Sequence, residues 1–185
     1  MVYFNSVPIK MAEGTTTIKR SRARELALCA VFAALMGAGG LISIPFYPVP
    51  FTLQTFFLYL SILVLKREAA LSQAIYIAMG LAGLPIFSRG MGGYAVLIGP
   101  TGGFIIGFLL SALIAGAYLS APWGRRSPLL ALGIAMAIVF GFGGMWLGFW
   151  LGLDFYAAYL GVLPFIPGDV AKAALAFVAF KKIRM

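Results

Sequence analysis

Asp169 and Lys172 stand three residues apart in a stretch, 164–180, that otherwise reads as a membrane helix. Lys181, Lys182 and Arg184 mark where that helix leaves the bilayer. At about 1.5 Å of rise per residue, Lys172 lies roughly 14 Å inward of Lys181, and Asp169 roughly 18 Å. In a hydrocarbon core of about 30 Å, both groups fall near the midplane or in the outer half. A charge at that depth is costly unless it faces a cavity, a partner or a ligand. The i, i+3 spacing places both on one helical face. An acid and a base on one face at that depth suit a small polar substrate. The same two groups could instead pair with each other and close the first turn, with Asp169 near an N-cap after Pro167-Gly168.

The elements that must carry this pair belong to a membrane protein. Hydrophobic residues make up 62% of the chain and charged residues 10%, against about 25% charged in a soluble domain. The net charge of +9 would suggest nucleic acid in a soluble chain. Here the basic residues gather at the ends of apolar segments, and none forms a basic stretch interleaved with aromatics, so no nucleic-acid partner is expected. The single cysteine, Cys29, lies in an apolar run and gives no disulfide framework. Histidine is absent, which removes the commonest metal ligand and general base. No cofactor and no metal are expected.

Six apolar segments can be marked, near 26–44, 51–65, 69–84, 99–119, 128–151 and 164–180. The second, third and sixth are shorter than the roughly 20 residues of a simple span, so flanking residues must complete them. The predicted fold is an all-α membrane protein, one bundle of six transmembrane helices. Residues 1–23 read as a polar, basic tail, partly disordered or extraneous to the fold, with no evident cleavable signal. Residues 24–185 form the six-helix substrate-binding domain, with no soluble second domain and no internal repeat.

Lysines and arginines set the orientation. If all six segments span, Lys10, Lys19, Arg20, Arg22, Arg24, Lys66, Arg67, Arg125, Arg126, Lys181, Lys182 and Arg184 share one side. Arg89 lies on the other, with Lys172 buried nearby. Both termini are therefore expected in the cytoplasm of a multi-pass cell-membrane protein. The outside loops are then 45–50, 85–98 and 152–163. The first holds three prolines and two aromatics and must be stiff and extended. The second is glycine-rich and carries Arg89 and Tyr94; the third has Phe155, Tyr156 and Tyr159. Such loops suit a membrane interface, and equally a lid with glycine hinges over an outward-opening pocket.

Small residues recur at four-residue spacing: Gly99, Gly103, Gly107, Ser111 and Ala115; Gly144, Gly148 and Gly152; Ala30, Ala34 and Ala38. Such stripes let helices approach closely, by default inside the bundle; the alanine stripe is the best candidate for docking a partner. The run Gly99-Pro100-Thr101-Gly102-Gly103 lacks the lysine and spacing of a phosphate loop. Gln54 and Gln73 are amides in apolar segments and need partners. Gln54, at the outer end of its segment, could reach a ligand or a neighbouring helix; Gln73 is read as structural.

Three runs together resemble one family: Pro48-Val49-Pro50-Phe51-Thr52-Leu53-Gln54, Gly80-Leu81-Ala82-Gly83-Leu84-Pro85-Ile86-Phe87, and Gly99-Pro100-Thr101-Gly102-Gly103-Phe104-Ile105-Ile106-Gly107-Phe108. These look like BioY, the biotin-binding membrane subunits of energy-coupling-factor transporters. Pro164-Phe165-Ile166-Pro167-Gly168-Asp169-Val170-Ala171-Lys172 is similar to that family's last helix. The resemblance runs from about Arg24 to Lys182. It implies a six-helix subunit whose loops close over biotin from outside. It also implies a transmembrane coupling subunit and a pair of cytoplasmic ATPases as partners, with Ala30 and Ala34 as the coupling contact.

Biotin carries a carboxylate, which wants a cation, and a ureido group whose N–H donors want acceptors. Lys172 or Arg89 can serve the first and Asp169 the second. Its apolar ring and chain would pack on aromatic and aliphatic walls. The expected function is biotin capture for uptake. The alternatives are a related subunit for another vitamin and a membrane enzyme. Lys172 and Arg89 disfavour a cationic vitamin such as thiamine. The enzyme reading lacks a nucleophile–base pair of the usual kind, since Asp169 is the only deep acid.

Overall fold

The computed structural model describes residues 17–47, 49–122 and 127–183. Helix α1 (Thr17–Leu41) turns Cys29, Phe32, Ala33 and Met36 into the core. Its opposite face, including Ala30 and Ala34, is exposed. This is the i, i+3, i+4 pattern of a helix packed on one side. The chain then makes a small hairpin. Strand β1 (Ser43–Ile44) pairs antiparallel with β2 (Phe51–Thr52), Ser43 opposite Thr52. The proline-rich loop predicted at 45–50 falls between the two strands, with Pro48 outside the described residues.

Helices α2 (Gln54–Leu65) and α3 (Ala69–Leu81) follow, joined by a single 3-10 turn at Lys66–Glu68. Most of α2 is buried, from Gln54 to Leu65, so it is a central strut rather than a lipid-facing rod. After α3 come a 3-10 turn at Ser88–Gly90 and the short α4 (Ala95–Ile98). Helices α5 (Gly102–Ser120) and α6 (Pro128–Leu151) form the most extensive pair in the molecule. Gly107 lies on Val139, where an added Cβ would stand 3.1 Å from the Val139 Cα. An added Cβ on Gly103 would meet the Phe142 carbonyl at 2.6 Å and the Trp146 ring at 2.7 Å. The glycine stripe predicted on this segment is thus spent on helix packing.

Helix α6 ends at Gly152, whose left-handed φ of 65° closes the helix. The next segment, expected to be a loop over 152–163, is instead mostly helix, α7 (Phe155–Val162). Asp154 caps it, its Oδ1 accepting from the Ala157 N–H at 2.7 Å. The Gly144 and Gly148 stripe receives this helix, facing Tyr159 and Ala158. Helix α8 (Ile166–Ile183) packs chiefly against α2.

Each apolar segment of the sequence carries a helix. Among the described residues, four stretches are long and apolar enough to cross a membrane: Arg22–Leu41, Gly102–Ser120, Pro128–Leu151 and Tyr156–Ile183. At 1.5 Å per residue, α2 and α3 reach only about 20 Å each. The bundle is therefore helical, apolar and multi-pass. Helix α1 already begins at Thr17, inside the stretch expected as a tail; the rest of that tail lies outside the described residues. So do Lys10, Arg125, Arg126 and Arg184, part of the expected one-sided charge.

Candidate functional site

The site grows from the contact between α2 and α8. Asp169 lies in the first turn of α8, and both Asp169 and Lys172 are buried, 2% and 6% exposed. The Lys172 Nζ donates to Asp169 Oδ1 at 2.7 Å, to Thr55 Oγ1 at 2.8 Å and to the Thr52 carbonyl at 2.9 Å. An ammonium has three N–H donors, so all are used. Its Nζ also sits 3.8 Å from the centre of the Phe51 ring, a cation–π contact. Thr55 in turn donates to Asp169 Oδ1 at 2.6 Å, and the Tyr59 hydroxyl donates to Oδ2. A carboxylate offers about four acceptor positions. Two are filled on Oδ1 and one on Oδ2, which leaves one on Oδ2.

Thr55 and Tyr59 share a face of α2 at i, i+4. The network therefore joins residues far apart in sequence. Buried charges survive only when paired and hydrogen-bonded, and this pair is both. Beside it, the Gln54 side-chain amide donates to the Tyr76 hydroxyl, while Thr52 Oγ1 donates to Gln54 Oε1 at 3.2 Å. Gln54 thus links α2 to α3, as a buried amide must be linked to something.

These groups border one pocket. Its polar side is Thr52, Gln54, Thr55, Tyr76, Ser88, Thr101, Asp169 and Lys172; its apolar side includes Val49, Phe51, Phe104, Phe108, Val139, Phe140 and Phe165. Phe51 and Phe165 stack at 6.2 Å between centroids, and Phe46 meets Phe165 edge-on at 5.4 Å. The hairpin and the 3-10 turn at Leu163–Phe165, just before α8, so form one aromatic wall. An apolar cavity with a few fixed polar groups at one side is the usual form of a small-molecule site.

The structure brings three of the residues singled out in the sequence to this pocket: Asp169, Lys172 and Gln54. Arg89 and Tyr94 are elsewhere. Arg89 borders an adjoining opening with Pro50, Met91 and Thr101, and its Nη2 donates to the Phe46 carbonyl at 3.0 Å. Tyr94 is 75% exposed. Ala30 and Ala34 lie on the exposed face of α1. Sequence reasoning missed Thr55, Tyr59, Tyr76 and Phe51. The i, i+4 pairing of Thr55 with Tyr59 in an apolar helix was the signal available for those two, and Phe51 lay inside the run 48–54 that carries the resemblance. Gln73, read as structural, is fully buried, its Nε2 donating to Ser61 Oγ at 3.4 Å.

A family model for the BioY family matches residues 11–185. This chain belongs to the BioY family. The biotin transporter BioY of Thermotoga maritima is 39% identical over 170 residues, spanning 88% of this chain and 98% of that protein. The biotin transporter BioY of Rhizobium etli is 36% identical over 167 residues, with 83% and 89% covered. The fold agrees with a crystal structure of the S-component for biotin from an ECF-type ABC transporter. The TM-score is 0.80 at 27% identity, over 92% of this chain and 95% of that one. Membership of BioY makes the chain a membrane transporter component rather than an enzyme.

Proposed function

We propose that the chain is the substrate-capture subunit of a biotin uptake transporter and that it binds biotin in the pocket between α2, α5 and α8. The observation that carries this is Asp169: a buried carboxylate on the wall of an apolar pocket, fixed by three donors, with one acceptor position unused. A ureido N–H fits that position without breaking any bond already made. Lys172 holds the Asp169 carboxylate in place through its contact with Oδ1. The aromatic wall of Phe51 and Phe165 suits the apolar ring and chain.

As an S component, the subunit works with a transmembrane coupling subunit and a cytoplasmic ATPase pair. The exposed Ala30–Ala34 face of α1 is the coupling contact, since small side chains let another helix approach closely. In the cell membrane, all six apolar segments cross, with α2 shielded inside the bundle, and both termini are cytoplasmic. Residues 24–185 make up the working domain, and α1 extends back from it to Thr17. A cysteine introduced at the exposed Gly161 should then react with an impermeant reagent from outside, and one at Ser127 should not; the opposite pattern would overturn the orientation.

Binding of radiolabelled biotin to the purified full chain tests the function. Saturation at low concentration, displaced by unlabelled biotin, is expected. A chain that ignores biotin would refute the reading.

A further inference from the structure

The polar groups around the pocket are not equally free. Thr52, Gln54, Thr55, Asp169 and Lys172 are tied to one another or to Tyr76 and Tyr59. All three Lys172 N–H groups are engaged within the protein. A carboxylate could claim one only by displacing Asp169, Thr55 or a backbone carbonyl, and that would leave a buried group unpaired. Two other polar side chains border the same pocket, Ser88 and Thr101. They are 7% and 8% exposed, and neither hydroxyl has a partner among the described residues. Neither is a sealed orphan of the kind found at Ser72 and Gln73 deeper in the core. Their hydroxyls are open to whatever fills the pocket.

The local backbone explains why Ser88 rather than Arg89 serves here. Arg89 takes a left-handed conformation, φ 61° and ψ 23°, inside the turn Ser88–Gly90. Ser88 stays buried against the pocket, while Arg89 is carried out to the Phe46 carbonyl. Thr101 stands just before α5 and borders both the pocket and the adjoining opening that Arg89 lines. A carboxylate resting on Thr101 would therefore lie beside that opening, which lowers the cost of burying it.

We infer that Ser88 and Thr101 are the second polar end of the ligand site, their two hydroxyls donating to the carboxylate of a ligand whose ureido end meets Asp169. The inference rests on the biotin reading above. It assigns the carboxylate to neutral donors, in place of Lys172 or Arg89. A hydroxyl donor to a carboxylate is a charge-assisted hydrogen bond, and losing one lowers affinity by about ten-fold or more.

The test uses the purified full chain and two ligands: biotin, and an analogue with the same bicycle and a butyl chain in place of the valerate. Dissociation constants come from competition with labelled biotin, and melting temperatures from the empty protein. Ser88→Ala and Thr101→Val should each weaken biotin about ten-fold and change the analogue less than about two-fold. Thr101→Ser should restore biotin binding. Because neither hydroxyl has an internal partner, the melting temperature of the empty variants should not fall. Equal losses for both ligands, or unchanged biotin binding, would overturn the assignment while leaving the function standing. A wild-type chain that does not bind biotin would remove the function reading itself, and this inference with it.

Discussion

Two helix contacts in this molecule are built on opposite principles. The α5–α6 pair is held by shape: Gly103 and Gly107 admit Trp146 and Val139, and Gly143 admits the Phe104 ring. The α2–α8 pair is held by charge: Asp169 and Lys172 reach Thr52, Thr55 and Tyr59. Within a membrane, apolar helices gain little from being apolar against each other, so close packing and hydrogen bonds must do the holding. The first contact gives the pocket an apolar wall, from Phe104, Phe108, Val139 and Phe140. The second keeps an acceptor on Asp169 and opens onto a pocket. The difference separates a scaffold half from a working half, with the pocket where they meet.

That division can be broken from either side, and the largest effect should come from the charged contact. Lys172→Ala leaves Asp169 buried without its cation. Breaking a buried pair on one side costs about 3–5 kcal/mol, so the melting temperature of the empty protein should drop sharply. Because Lys172 acts through Asp169, biotin and biotin amide should lose affinity alike. A loss confined to biotin would mean that the lysine meets the carboxylate directly.

Gly103→Leu should come next. Its Cβ would run into the Phe142 carbonyl, which cannot move aside as a flexible side chain would. Overpacking of this kind costs about 1–3 kcal/mol. Thermal unfolding should shift, and biotin affinity in the residual folded protein should change less than in Asp169→Asn. Reduced affinity without reduced stability would contradict the separation of scaffold from site. The smallest effect belongs to Gly133→Ala, on α6, the partner helix of Gly103, but facing open space. There the change should be neutral or stabilising by up to about 1 kcal/mol, measured in the same unfolding experiment. A marked destabilisation would mean that this face also packs against something.

Much of this was legible in the sequence, and the residues that were not share a cause. Asp169 and Lys172 stood out because a charge in an apolar segment is costly and therefore rare. Glycine stripes announced close packing, although not which helices would use it. Thr55, Tyr59 and Tyr76 gave little notice, since threonine and tyrosine are ordinary in such helices. Their roles come from pairings across more than a hundred residues or between helices, which no local pattern encodes. Arg89 drew attention as the cation beside the expected outer side, yet a left-handed turn sends it outward and leaves Ser88 at the pocket. The helix α7 was hidden for a different reason: its glycine and aromatic content reads as a loop. Its start signal, Asp154 three residues before Ala157, is a single cap.

The central claim is that Asp169 is part of the ligand site and not only a strut between helices. Asp169→Asn tests it most directly. The asparagine oxygen can still accept from Thr55 and Lys172, and the Tyr59 hydroxyl can turn to accept from the new amide. What is lost is the charged acceptor offered to a ureido N–H. Equilibrium binding of labelled biotin to the folded variant should be weaker by about 1.5–3 kcal/mol. Wild-type affinity in that variant would contradict the account.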